Sequence, residues 1–178
     1  MGITEYVNCH PFVLRDNSDR CWTLAHNGTI FDYPRQNAYL HRQEGRTDSE
    51  RILYFLVDQV NLRQADLGRA LSREERFALL DELVSDMAQG NKLNLLIYDG
   101  ELLYVHTNYA NSLYLSQRKD ALVFATAPLD RGCWRPHPFT TLCAYQDGHR
   151  LFQGADHGKE YHDNAEDMHM IFADYAEL

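Results

Sequence analysis

The apolar residues of this chain change period near its middle, and that change limits the folds open to it. Between Thr47 and Gly90 they recur at helical spacing, whereas from Lys92 onward they fall in short runs separated by turn residues. Thr47-Asp48-Ser49-Glu50 reads as a capping box opening a first helix, with Ile52, Leu53, Leu56, Val57 and Val60 on its buried face. Ser72-Arg73-Glu74-Glu75 repeats the pattern ahead of Phe77, Leu80, Leu83, Val84 and Met87, and Gly90 is a natural stop. Residues 93–98 and 101–106 then flank Asp99-Gly100, the signal for a hairpin with a type I′ turn. Residues 113–116, 121–126, 140–145 and 149–152 are predicted strands, the last pair closing around Gln146-Asp147-Gly148. Upstream of the helices, residues 21–26 read as a buried strand stopped by Asn27-Gly28. Met168, Ile171, Phe172 and Tyr175 suggest a last amphipathic helix over 164–175. The pattern predicts one α+β domain, two helices inserted into a mostly antiparallel sheet system.

Composition narrows the function more than the fold. A length of 178 residues, 44% hydrophobic and 24% charged, suits one soluble domain with a real core. The expected division is a domain over 1–154 and a helical tail over 155–178 packed on it. A net charge of -9 repels phosphate backbones, and no basic patch compensates, so nucleic acid is not an expected partner. No apolar run approaches the ~18 residues that span a bilayer, and the N-terminus lacks the basic and apolar regions of a signal peptide. No membrane association and a cytoplasmic location are the expectations. Cys9, Cys21, Cys133 and Cys143 form no C-x-x-C pair, so reduced thiols rather than a zinc knot are expected. His162, Glu166 and His169 share a helical spacing, but in an acidic stretch a solvated surface helix is the better reading than a metal site. No metal and no cofactor are implied.

Three short segments carry the chemistry: Asn8-Cys9-His10-Pro11-Phe12, His26-Asn27-Gly28 and Thr47-Asp48-Ser49-Glu50. Singly, each has a bland explanation as a chain reversal, a turn and a helix cap. Together and in this order they resemble the class II glutamine amidotransferases, a group of N-terminal nucleophile hydrolases. That family carries a Gly, then His-Pro, then a strand ending in His-Asn-Gly, then Thr-Asp-Ser/Thr-Glu at a helix start. Gly2 stands eight residues before His10, the family's spacing. Ala127-Pro128-Leu129-Asp130 followed by Trp134, and the wording of the Asn8 to Phe12 segment, resemble the bacterial branch with predicted stand-alone amidotransferases. The resemblance extends over residues 2–154.

The resemblance implies a four-layer αββα sandwich of antiparallel sheets, incomplete at its N-terminus, with both helices on one outer face. It implies that the Asn27 side-chain amide and the Gly28 backbone N–H form an oxyanion hole for the tetrahedral intermediate of γ-carboxamide hydrolysis. Asp48 matches the carboxylate that binds the substrate's α-amino group, a role compatible with its place in the first turn of a helix. His10 matches the pocket wall, and is counted with the substrate-binding residues as a supporting group. Asn27, Gly28 and Asp48 should therefore converge on one cleft.

The family's nucleophile is a cysteine at the mature N-terminus, whose own amine can act as base. Residue 2 here is glycine, and the arginine that clamps the substrate carboxylate precedes the family's equivalent of that glycine. Neither Cys9 nor Cys21 has a free α-amine, and an unassisted thiol is a weak nucleophile at neutral pH. The expectation is a shortened amidotransferase-like chain. Its complete form would hydrolyse glutamine, or a γ-glutamyl amide, through a cysteine thioester and release ammonia; the chain alone should be inactive. The alternative is a non-catalytic binding or regulatory protein derived from the same fold. Loss of the nucleophile segment should also leave a sheet edge open to a second copy or another protein.

Overall fold

The computed structural model describes residues 5–165 together with Asp167 and His169. Helix α1 (Asp48–Leu67) and helix α2 (Arg73–Met87) start at the expected caps. Ser72 and Glu75 form a complete capping box on α2. On α1 only half of one forms: Thr47 Oγ1 accepts from Glu50 N–H at 3.2 Å, but the Glu50 carboxylate turns back to the N–H groups of Glu44 (2.8 Å) and Gly45 (2.9 Å). Glu50 thus ties the loop before the helix to its first turn. α1 ends at Gly68, whose φ of 65° is the left-handed conformation a helix stop favours.

The described residues contain nine strands, seven of them on predicted runs: β1 (Phe12–Arg15), β2 (Cys21–His26), β3 (Asn94–Tyr98), β4 (Leu103–Thr107), β5 (Tyr114–Gln117), β6 (Leu122–Ala125), β7 (Arg135–Pro136), β8 (Cys143–Gln146) and β9 (His149–Gln153). Six form one sheet in the order β1-β2-β3-β4-β8-β9, and three form a second in the order β6-β5-β7. Every neighbouring pair is antiparallel. Strand β7, of two residues, is too short to show in the sequence pattern, and β1, of four, is not among the predicted runs. The chain does reverse before β1, through a cis His10–Pro11 peptide bond.

The turn at Asp99 corrects one expectation. Its two-residue loop is Gly100-Glu101, closed by Asp99 N–H to the Leu102 carbonyl at 3.2 Å, and of Asp99 and Gly100 only the glycine has a positive φ (85°). The Asp99 carboxylate explains the shift, because it accepts from the Glu101 and Leu102 N–H groups at 2.9 and 2.7 Å. A type I′ geometry occurs instead at Asp147-Gly148, where both residues have positive φ (50° and 75°).

Alternation assigns the two faces of the large sheet. Phe12, Trp22, Leu24, Leu95, Ile97, Tyr104 and Ala144 face the helices and pack with Ile52, Phe55, Leu56, Val60, Leu80, Val84 and Met87 in the main core. The opposite face of β3, β4 and β8 presents Leu96, Val105, Cys143 and Tyr145 to Leu113, Leu122 and Phe124 of the small-sheet side. The layers among the described residues are therefore helix, sheet, sheet. The small sheet does not reach the side of β1 and β2, where Val13 is 58% exposed and, on neighbouring β3, Tyr98 is 45% exposed. The helix suggested over 164–175 lies largely outside the described residues, though Ala165, Asp167 and His169 at its start are helical. No described helix is long and apolar enough to cross a membrane.

Candidate active site

The site begins where β2 leaves the sheet. Past His26, the N–H groups of Asn27 and Thr29 donate to the carbonyls of Asn94 and Lys92, both at 2.9 Å. Gly28, between these two bonded residues, lies in a bend. The Ile30 N–H is taken by Asp48 Oδ2 at 2.8 Å. The Gly28 N–H has no partner among the described residues. A side chain at position 28 is excluded: a Cβ there would lie 1.9 Å from the Lys92 carbonyl oxygen and 2.5 Å from His26 Nε2. The Asn27 side chain is exposed. An unpaired backbone donor thus lies two residues before the one that Asp48 holds, next to an exposed carboxamide.

Asp48 is the first residue of α1 and is half-buried. Its Oδ1 accepts from the Ser49 N–H at 2.8 Å while Oδ2 holds Ile30, so the carboxylate caps the helix and pins the loop after Gly28 at once. His10 reaches the same place from the start of β1. Its ring stands edge-on to Phe12 at 5.0 Å. The His10 pKa is lowered chiefly by partial burial and then by the charge of His26, with Asp48 pulling the other way. The His26 pKa is also lowered, by burial, again against Asp48. His10, His26 and Asp48 thus lie within electrostatic range of one another. Asp48 thus holds the Ile30 N–H, two residues past Gly28, and acts electrostatically on His10 and His26, while Asn27 is exposed.

A groove of about 570 Å³ runs from His10 along β1, between that edge strand and the start of α1. Cys9, Phe12, Glu44, Leu53 and Tyr54 are among its walls. The Cys9 thiol is exposed and contacts the Glu5 carbonyl, with Sγ at 3.4 Å from the oxygen. Cys21 opens β2 at the end of the strand remote from His26, Cys133 lies in an exposed loop, and Cys143 is buried between the sheets, where burial raises its pKa.

Two buried asparagines that the sequence reading passed over hold the loop after Gly28. Asn91 Oδ1 accepts from the Phe31 and Asp32 N–H groups at 2.7 and 2.9 Å, and its Nδ2 donates to the Met87 carbonyl at 2.8 Å. Asn108 Oδ1 accepts from Leu93 N–H at 2.8 Å, and its Nδ2 donates to Asn91 and Lys159 carbonyls. An Asn that replaces missing backbone partners carries no sequence period, so nothing in the pattern marks it. The Asp130 to Trp134 segment, by contrast, forms a local knot. Asp130 accepts from Trp134 Nε1 and the Gly132 N–H, both at 2.9 Å, and from Arg118 at 2.7 Å. These bonds, the Trp134 one foremost, hold its pKa down to about 2.

Comparison with known proteins gives the site a context. The model of the family described as glutamine amidotransferases class-II matches residues 1–121. An uncharacterised protein of Methanocaldococcus jannaschii is 25% identical over 85% of this chain, which spans 48% of that relative's length. The 2.0 Å crystal structure of a predicted glutamine amidotransferase from Pseudomonas aeruginosa superposes with a TM-score of 0.67 at 23% identity, covering 83% of this chain and 66% of that one. The glutamine phosphoribosylpyrophosphate amidotransferase of Bacillus subtilis gives a TM-score of 0.54 at 17% identity, covering 84% of this chain and 32% of that one. The chain thus spans about half of the curated relative and two-thirds or less of these structures.

Proposed function

This chain belongs to the class II glutamine amidotransferases, with their α+β fold of antiparallel sheets, and on that premise we propose that Asn27, Gly28 and Asp48 are the substrate-binding half of a glutaminase-type site. The substrate is glutamine or another γ-glutamyl amide. The observation that supports this reading is the Gly28 N–H, which has no partner among the described residues and lies two positions before Ile30, whose N–H the Asp48 carboxylate holds, and next to the exposed Asn27. A free backbone donor and a carboxamide in the neighbourhood of a carboxylate suit an oxyanion and an α-ammonium group on one ligand.

In the complete reaction a cysteine thiolate attacks the γ-carbonyl carbon, and the oxyanion forms against Asn27 and Gly28. The C–N bond then breaks, ammonia leaves with the proton the thiol gave up, and water hydrolyses the thioester to glutamate. None of the four cysteines is set up for the first step. Cys9 contacts a carbonyl, Cys21 is at the wrong end of its strand, Cys133 is in a remote loop and Cys143 is buried with a raised pKa. The exposed side of β1, where Val13 meets solvent, suits a further segment bearing a nucleophile.

Purified 178-residue chain is therefore expected to release no glutamate from glutamine above the uncatalysed rate, since losing a nucleophile costs orders of magnitude. Cys9→Ala and Cys21→Ala should leave that result unchanged. Turnover that disappears in either variant would overturn the assignment of the nucleophile.

A further inference from the structure

His26 ends β2 and is 6% exposed, and its two ring nitrogens touch two different parts of the site. Nδ1 lies 3.1 Å from Ser49 Oγ in the first turn of α1. Nε2 lies 3.2 Å from the Lys92 carbonyl oxygen. A carbonyl oxygen only accepts, so the proton of the neutral ring is on Nε2, and the bare Nδ1 accepts from the Ser49 hydroxyl. The same Lys92 oxygen also takes the Thr29 N–H. Gly28 is wedged against this pair, as the 1.9 and 2.5 Å approaches of a Cβ built there show.

We infer that His26 is a positioning residue, whose imidazole joins the helix end carrying Asp48 to the Lys92 carbonyl and so fixes the Gly28 N–H relative to the Asp48 carboxylate. This rests on the reading of Gly28 and Asp48 as substrate contacts. The bond to Ser49 also commits that hydroxyl to the ring. It draws the hydroxyl away from Asp48 Oδ1, 3.4 Å off, which keeps only the short bond from the Ser49 N–H. An apolar side chain of similar size would fill the same space and make neither bond.

Nuclear magnetic resonance of the full chain tests this without any ligand. Long-range ¹⁵N–¹H correlation is expected to show the His26 ring as the Nε2–H tautomer; the Nδ1–H tautomer would overturn the inference. In His26→Leu and His26→Phe the Gly28 amide resonance should move, and the Thr29 amide should exchange about tenfold faster, the effect of one lost hydrogen bond. His26→Gln, whose terminal amide can donate to the same carbonyl, should recover most of the Thr29 protection. Unchanged Gly28 and Thr29 signals in the Leu and Phe variants would reduce His26 to a space-filler. Should those variants not fold, Ser49→Ala removes the Nδ1 donor alone, and it must still move the His26 ring and Gly28 signals or the inference fails. A missing response of Gly28 to added glutamine would instead strike the proposed function, and leave these ligand-free results standing.

Discussion

Arg76→Met is expected to cost about 3–5 kcal/mol of folding stability, the usual penalty for stranding a buried charge. Arg76 and Asp99 are both essentially inaccessible, with side-chain exposures of 3% and 0%. Arg76 Nε donates to Asp99 Oδ2 at 2.6 Å, Nη1 to the Leu71 carbonyl at 2.9 Å, and Nη2 to Glu101 Oε2 at 2.7 Å. The Tyr104 hydroxyl donates to the same Asp99 oxygen at 2.8 Å. Burial and this neighbouring carboxylate raise the Tyr104 pKa, which keeps the phenol protonated as the donor. With Arg76 gone, Asp99 keeps its neutral donors but loses its close counterion under the main core, leaving only Arg20, whose Nη1 lies 3.9 Å from Oδ1. For a chain of this size the melting temperature should drop by roughly 10 °C. Asp99→Asn added to Arg76→Met should recover part of the loss, because it removes the stranded charge and preserves an acceptor. Urea unfolding of the two variants checks both statements. A loss below ~1 kcal/mol in Arg76→Met, within the range of an exposed pair, would show that the network is not the clamp described.

Acid should destabilise the fold well before its carboxylates titrate. His137 is buried between Phe124 and Tyr145, at ring distances of 6.0 and 6.2 Å, and burial lowers its pKa to about 4. His106 is fully buried on β4, and its pKa is also lowered by burial, with His157 and His137 adding to the effect. Its Nε2 meets His157 Nε2 at 3.0 Å, while His157 Nδ1 accepts from the Lys159 N–H. His157 is thus the donor of that pair and His106 carries its proton on Nδ1, which has no partner. Both rings are held neutral. As pH falls below about 6.5 the unfolded chain takes up protons that the folded chain refuses, so stability decreases. For His137 the decrease runs at about 1.4 kcal/mol per pH unit down to its folded pKa, and His106 adds in the same direction. Unfolding free energies at pH 7.5 and 5.5 should therefore differ by more than 1 kcal/mol. His137→Phe should flatten that slope by about one histidine's share. Equal stability at the two pH values would mean that these rings are hydrated.

The helices and most strands were legible because each is written locally. The apolar spacing in 52–60 and 77–87, the Ser72 box and the Asp147-Gly148 turn act over a few residues, and the fold obeys them. The three site segments were legible as motifs, and Asp48 holds the Ile30 N–H just past Gly28 and acts on the His10 ring. What the sequence hid depends on distant partners. Asp99 does not form the turn its dipeptide suggests, because its carboxylate is occupied by its own loop and by Arg76, 23 residues away. Glu50 leaves the capping box for Glu44 and Gly45 because the loop before α1 needs an acceptor. The Asn91 and Asn108 hubs and the His106–His157 pair join segments up to 60 residues apart, and a local pattern cannot announce them.

The proposed function requires that the described residues hold a preformed site for a γ-carboxamide. Titration of the ¹⁵N-labelled chain with L-glutamine, followed amide by amide, tests it most directly. The Gly28 amide and the Asn27 side-chain amide should shift first and together, with Ile30 and Ser49 following as Asp48 engages the ammonium group. Gly28→Ala, which drives a Cβ into the Lys92 carbonyl, and Asp48→Asn should abolish the response in otherwise folded chains. Shifts confined to other parts of the molecule, or a Gly28 response that survives Asp48→Asn and is matched by D-glutamine, would contradict it.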